Sequence, residues 1–214
     1  MAGKGRFITL EGGEGVGKST LASALEARLV ARGLRVVRTR EPGGTSGAEA
    51  IRRLILSPPP NVAGWEPLAE TLLFYAARTN HLDNLIRPSL NAGSWVICDR
   101  FSDSTRAYQA AAGHVPGEHI ETLDKICVGE TTPDLTLVLD LPLSAARHRM
   151  AVRANDKDAI EARAQKYHED VHQAFLAIAR ANPQRCVVLD ASAAPDALAK
   201  AAMAVIDERF GGGR

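Results

Sequence analysis

A single α/β domain, with a five-stranded parallel sheet covered by helices on both faces, is the fold this sequence predicts. Three observations carry the prediction. Strands alternate with helical segments, the strands are apolar along their length, and no linker is long enough to separate two cores. The 214 residues, 45% hydrophobic and 24% charged, suit one domain that buries roughly 70–75% of its unfolded surface.

Arg6 to Leu10 is an aromatic and β-branched run ended by glycines, the first strand. Lys18 to Ala31 sets Leu21, Leu25 and Leu29 one turn apart and stops at Gly33, as a helix does. Leu34 to Thr39, with Val36 and Val37, is the second strand. Glu41-Pro42-Gly43-Gly44-Thr45 cannot be regular structure, and a helix with Ile51, Leu54 and Ile55 follows it. Ser57-Pro58-Pro59-Pro60 is a break within the domain. Glu66 to Asn91 is one long helical stretch, apolar at Leu68, Leu72, Leu73, Tyr75, Leu82, Leu85 and Ile86. Trp95–Cys98, Leu135–Leu139 and Cys186–Leu189 are apolar strands that stop at Asp99, Asp140 and Asp190. Helices fill the intervals, and residues 211–214 are a frayed tail.

Lys plus Arg number 26 and Asp plus Glu 25, a net charge of +1 with neutral histidines. That balance leaves no electrostatic footprint for nucleic acid or an anionic membrane, so any bound anion must be held by a local cluster. Cys98, Cys127 and Cys186 each sit beside aliphatic residues and are expected to be buried free thiols. The basic start leads into only a short apolar run before Glu11, and no segment approaches about eighteen apolar residues. A cytoplasmic protein without signal or membrane span is the expectation.

Gly12-Gly13-Glu14-Gly15-Val16-Gly17-Lys18-Ser19, followed by Thr20, fits G-x-x-x-x-G-K-[ST] between a strand and a helix. Glycines let backbone N–H groups turn toward one anion, the helix N-terminus adds its positive end, and Lys18 reaches the terminal phosphates. The Ser19 hydroxyl suits a magnesium ion, and a carboxylate from a neighbouring strand end should complete the site. Spacing alone does not choose among Asp99, Asp140 and Asp190. Asp99 is preferred because Arg100 follows it, setting a phosphate-binding cation beside a metal carboxylate; the other two suit turns or helix caps. The motif predicts a P-loop NTPase fold that binds a nucleoside triphosphate, without naming the reaction. A switch GTPase would need N-K-x-D and D-x-x-G, and Asn155-Asp156-Lys157-Asp158 has the letters in the wrong order. A small kinase is the remaining class.

A rival motif is His168-Glu169-Asp170-Val171-His172, which satisfies H-E-x-x-H on a helix, with Glu208 as the third ligand it would need. Ile160, Ala164, Tyr167, Val171 and Ile178 define the buried stripe there and leave both histidines on its flank. Solvated histidines account for them better than zinc does.

Arg40-Glu41-Pro42-Gly43-Gly44-Thr45, Phe74-Tyr75-Ala76-Ala77-Arg78, Asp99-Arg100-Phe101 and Ser104-Thr105-Arg106-Ala107-Tyr108-Gln109 follow the phosphate loop in order. In this combination the chain resembles the bacterial thymidylate kinases, from Phe7 to about Asp190. The resemblance implies transfer of the γ-phosphoryl of ATP to dTMP, giving dTDP, by a single domain over 1–214 that works as a homodimer. It implies that Phe74 stacks on thymine, that Arg78 meets a base carbonyl, and that Ser104 and Thr105 face the base edge. Tyr108 crowds the sugar 2′ position, Glu14 takes the 3′-hydroxyl, Gln109 belongs to the substrate set, and Arg100 clamps the transferring phosphates. Arg52 holds the acceptor phosphate, although Arg53 beside it leaves the choice between them open. A mobile lid over about 147–160 brings Arg149 and Arg153, with Arg147 nearby, to the transition state. The lid pattern Asp-Arg-Ile-Glu of similar proteins is Asp158-Ala159-Ile160-Glu161 here, which shifts weight onto Arg149 and Arg153. Two alternatives stay open at this point: a kinase for another nucleoside monophosphate or a nucleoside, and an ATP-binding module without chemistry.

Overall fold

The computed structural model describes residues 5–61, 64–152 and 158–211. Five strands, β1 (Phe7–Glu11), β2 (Val36–Arg40), β3 (Trp95–Asp99), β4 (Leu135–Asp140) and β5 (Cys186–Asp190), form one parallel sheet in the order β2-β3-β1-β4-β5. The central strand β1 pairs with β3 through Ile8↔Ile97 and with β4 through Leu10↔Leu137. Because side chains alternate along a strand, β1 serves two cores. Ile8 and Leu10 join one; Phe7 joins the other. Thr9 and Thr136, buried at the middle of the sheet, satisfy each other with a 2.8 Å hydroxyl contact. The edge strands depart from the expectation of burial on both faces. Val188 of β5 is 43% exposed and only Thr39 of β2 is fully covered, because an edge has one neighbour and a helix on one side.

On one face lie α1 (Lys18–Ala31) and α9 (Pro195–Phe210), which pack Leu21, Leu25, Leu29, Leu198 and Ile206 against Ile8, Leu10 and Leu137. Burying one leucine such as Leu25 stabilises the fold by about 2 kcal/mol. The opposite face takes α3 (Pro67–His81), α4 (Arg87–Asn91), α6 (Gly117–Cys127) and α8 (Gln165–Ala181). The helices α2 (Ser46–Leu56), α5 (Ser102–Thr105) and α7 (Leu143–Val152) stand near the carboxyl ends of β2, β3 and β4, the edge where the functional residues gather.

The long helix predicted from 66 to 91 is continuous, but Leu82–Ile86 forms a π turn between α3 and α4. A second π turn, Arg106–Ala111, extends α5 and buries Tyr108 and Gln109. Leu68 and Leu72, counted among the apolar positions, are 47% and 48% exposed. On α8 the stripe turns further round than predicted. Val171, Phe175 and Ala179 are buried, Tyr167 and Ile178 are half-buried, and Ala164 is exposed. All three cysteines are free, Cys127 only half-buried. No helix among the described residues is long and apolar enough to cross a membrane.

Candidate active site

Between β1 and α1 the glycine loop crosses the carboxyl end of the sheet. Gly12, Gly15 and Gly17 take φ values of 134°, 72° and 101°, where a side chain is strained. At Gly15 space forbids one as well, since a Cβ would lie 2.7 Å from the Ala146 carbonyl oxygen. The loop therefore rests directly on α7, the helix that carries Arg149. Lys18 folds back over it, donating to the Gly12 and Gly13 carbonyls at 3.1 and 2.6 Å. Burial lowers the Lys18 amine, Arg100 lowers it further, and Glu14 and Asp99 offset part of this, leaving it at about 8. The Ser19 hydroxyl donates to Asp99 Oδ2 at 2.8 Å. The other two strand-end carboxylates are engaged elsewhere: Asp140 meets His172 Nε2 at 2.7 Å and Asp190 accepts the Ser192 N–H at 2.8 Å.

Lys18, Ser19, Asp99, Gly15 and Gly17 line a cavity of about 170 Å³. Phe74, Ser104, Tyr108, Gln109 and Asp158 line a neighbouring one of the same size. Glu14, Glu41, Arg52 and Arg100 line both and make the wall between them. Arg52 donates to the Pro42 carbonyl at 2.8 Å whereas Arg53 is exposed, so Arg52 is the one of the pair in the site.

Arg100 organises that wall. It takes φ 72°, unusual for a residue with a side chain, and its Nη1 donates to the Gly12 carbonyl at 2.9 Å and to Ser104 Oγ at 3.2 Å. Its Nη2 donates to Glu14 Oε1 at 2.6 Å, and its guanidinium lies 4.9 Å from the Tyr108 ring centre. Burial would push the Glu14 carboxyl up, but Arg100, Lys18 and the Tyr108 hydroxyl at 3.1 Å outweigh it and hold it at about 2. Behind this pair lies Glu11, fully buried. It accepts from the Phe101 N–H at 2.8 Å and from Ser104 Oγ at 2.6 Å, fixing the turn that carries Arg100. Burial, and then the charge of Asp103, raise Glu11 to about 7.

The helix α3 sets Glu70, Phe74 and Arg78 at successive four-residue steps, on one face. Phe74 is half-buried on the cavity surface, as a stacking ring requires. Arg78 is 2% exposed and lies behind that surface with Thr105. Its Nε donates to Glu41 Oε2 at 2.7 Å and its Nη2 to the Phe101 carbonyl and Thr105 Oγ1 at 3.1 and 3.0 Å. Its Nη1 is buried and has no hydrogen-bond partner among the described residues. The other Glu41 oxygen faces His81 Nδ1 at 3.0 Å; a carboxylate only accepts, so that nitrogen carries the proton.

In the segment expected to form a lid, Arg149 of α7 donates to the Ala191 carbonyl at 3.0 Å and to the Val16 carbonyl at 3.4 Å, beside the phosphate loop. Arg147 is exposed. Arg153 lies outside the described residues, as does most of Asn155–Asp158. Asp158 caps the turn that follows, accepting the Ile160 and Glu161 N–H groups at 2.9 Å. The histidines of the rival motif are not simply solvated. His172 is tied to Asp140 and the His168 ring packs edge-on to Tyr167. Among the described residues no three His, Cys, Asp or Glu side chains come together to hold a metal.

Sequence reasoning missed Glu11, Glu41, Glu70 and His81. A signal for Glu11 and Glu41 was present: Glu11 is the last residue of β1 and Glu41 the first after β2, each leading into a turn that contains two adjacent glycines.

A family model described as "Thymidylate kinase" matches residues 10–201. A "Thymidylate kinase" of Bradyrhizobium sp. (strain BTAi1 / ATCC BAA-1182) is 48% identical over 210 residues, 97% of this chain and 92% of that protein. One from Caulobacter vibrioides is 46% identical over 208 residues, 97% and 99% of the two chains. The crystal structure of thymidylate kinase from Ehrlichia chaffeensis superposes with a TM-score of 0.74 at 30% identity, covering 94% of this chain and 98% of that one.

Proposed function

The chain belongs to the thymidylate kinase family, enzymes that pass the γ-phosphoryl of ATP to dTMP to give dTDP, and from that premise we propose how its residues divide the work. The carrying observation is the shared wall: two cavities meet at Glu14, Glu41, Arg52 and Arg100. The phosphate-loop cavity takes the ATP phosphates and the Phe74 cavity takes dTMP, so the wall lies where donor and acceptor phosphates face each other.

The acceptor is already an anion near neutral pH, so the difficulty is not proton removal. It is holding two polyanions in line. Lys18, Arg52, Arg100 and Arg149 gather positive charge at that meeting point, with Arg153 added from the lid. Glu14 takes the sugar 3′-hydroxyl while keeping Arg100 aimed, and Tyr108 fills the space beside the 2′ carbon. Phe74 supports the base, Ser104 and Gln109 meet its polar edge from the cavity wall, and Arg78 and Thr105 back that edge from behind the wall.

The donor set fits a magnesium ion, because Ser19 and Asp99 offer oxygen ligands in one cavity and such ions keep most of their shell from phosphate and water. When bound, the ion would neutralise phosphate charge. We also infer a homodimer. Leu68 and Leu72 on α3 and Ile126 on α6, 73% exposed, support an apolar contact between copies on these two packed helices. Free thiols throughout suit the cytoplasm.

Release of ADP from magnesium-ATP, followed with a panel of nucleoside monophosphates, tests the assignment. Turnover selective for dTMP is expected. Preference for another monophosphate would overturn the thymine pocket, and ATP binding without turnover would leave only a nucleotide-binding module.

A further inference from the structure

Glu70 and Gln109 are 5% and 2% exposed, yet only Gln109 lines the Phe74 cavity. Gln109 Nε2 donates to Glu70 Oε1 at 2.9 Å. A carboxylate can only accept, so the amide nitrogen must be the atom that turns toward Glu70. The other end, Oε1, then has no partner among the described residues and is the atom left for the cavity. Glu70 is itself held. Its second oxygen accepts from Arg163 Nη2, and Arg163 Nη1 donates to the Tyr167 hydroxyl at 2.5 Å. That hydroxyl donates in turn to the Tyr108 carbonyl at 2.9 Å, which ties the chain just after the lid to the π turn bearing Gln109.

From this arrangement we infer that Glu70 is a positioning residue for base selection, fixing the Gln109 amide so that the pocket presents an acceptor and not a donor. The inference rests on the Phe74 cavity being the thymine pocket. Thymine offers a ring N3–H beside a carbonyl; cytosine offers a ring nitrogen lone pair beside an amino group. An oxygen at Gln109 Oε1 accepts the first and repels the second, and the free Arg78 Nη1 favours the same base through its carbonyl. A free glutamine could rotate its amide to suit either pyrimidine. Glu70 removes that choice.

The test compares kcat/KM for dTMP and dCMP in the wild type, E70Q, Q109M and the double variant, with thermal unfolding followed alongside. An amide at position 70 can donate or accept, so E70Q should cut the dTMP preference on the order of ten-fold. The loss should appear in the KM for dTMP, with kcat within about two-fold. In the Q109M background E70Q should change the preference no further. An unchanged preference in E70Q, or the same loss with Gln109 already removed, overturns the role. If E70Q does not fold, R163M serves: it frees Glu70 without changing it, and should lower the preference several-fold only while Gln109 is present. No change there overturns the role equally. A wild type indifferent between dTMP and dCMP would instead defeat the thymine pocket itself.

Discussion

Arg100 and Glu14 are locked to each other at 2.6 Å, and each lines both cavities. The pair is a hinge of charge. Glu14 stays ionised because of Arg100, and Arg100 stays aimed because of Glu14 and the Gly12 carbonyl. Arg100→Ala should lower kcat by about 10²- to 10³-fold, as loss of a preorganised charge at a transition state does. Arg100→Lys keeps the charge but not the fork that spans Gly12, Ser104 and Glu14, and should recover only part of the loss. Steady-state kinetics on both variants is the check.

Asp99→Asn leaves the Ser19 contact possible and removes one negative charge. The magnesium concentration for half-maximal rate should rise at least ten-fold, with the fold intact by circular dichroism. An unchanged magnesium requirement would remove Asp99 from the metal site.

Lys18 sits at about 8, far below an ordinary lysine. As pH rises through 8 the free enzyme loses this charge, so kcat/KM for ATP should fall, approaching ten-fold per pH unit. Bound phosphates restore the proton, so kcat itself should stay flat to higher pH. A pH profile of both parameters separates the two outcomes.

Arg149→Ala and Arg153→Ala should each reduce turnover, by roughly ten-fold or more, with smaller effects on dTMP affinity. Arg149 has an anchored position beside Val16 and Ala191. Turnover unchanged in both variants would take these two arginines out of the mechanism.

Glu11 stands at about 7, above its ordinary 4.5, from burial and from Asp103. Between these values the unfolded chain has released a proton that the folded protein still holds. Stability should therefore fall as pH rises from about 4.5 to 7, at up to about 1.4 kcal/mol per pH unit, and level off above. Glu11→Gln removes this contribution, so urea midpoints measured across the window should show a flatter profile in the variant.

The local grammar of the chain was largely legible. Gly17 and Gly33 punctuate α1, and its limits, Lys18 and Ala31, fall where periodicity put them. Strands β3, β4 and β5 run one residue further than predicted, because Asp99 pairs across the sheet with Leu10 and Asp140 with Asp190, which no local pattern reveals. The exposure of Leu68 and Leu72 was hidden for a similar reason: helical spacing says that residues share a face, not what covers it. In the site, the phosphate loop announced itself by spacing, and Asp99 stood out among the strand-end aspartates only because Arg100 follows it. Glu70 gave no signal, and Glu11 and Glu41 gave only their place beside a strand end, since each works by answering a side chain at least 37 residues away.

The π turn at Arg106–Ala111 gives the proposed base pocket a dependence on counting. A π turn holds one residue more than an α-helix needs over the same length, and Tyr108 and Gln109 lie within it, buried. Delete a single alanine there and the helix could close into a regular spiral, chemically almost unchanged. Every side chain beyond the deletion would then rotate by about 100° about the axis. The recognition surface is thus written in chain length as well as in side chains, and in this segment it tolerates a change of letter better than a change of number.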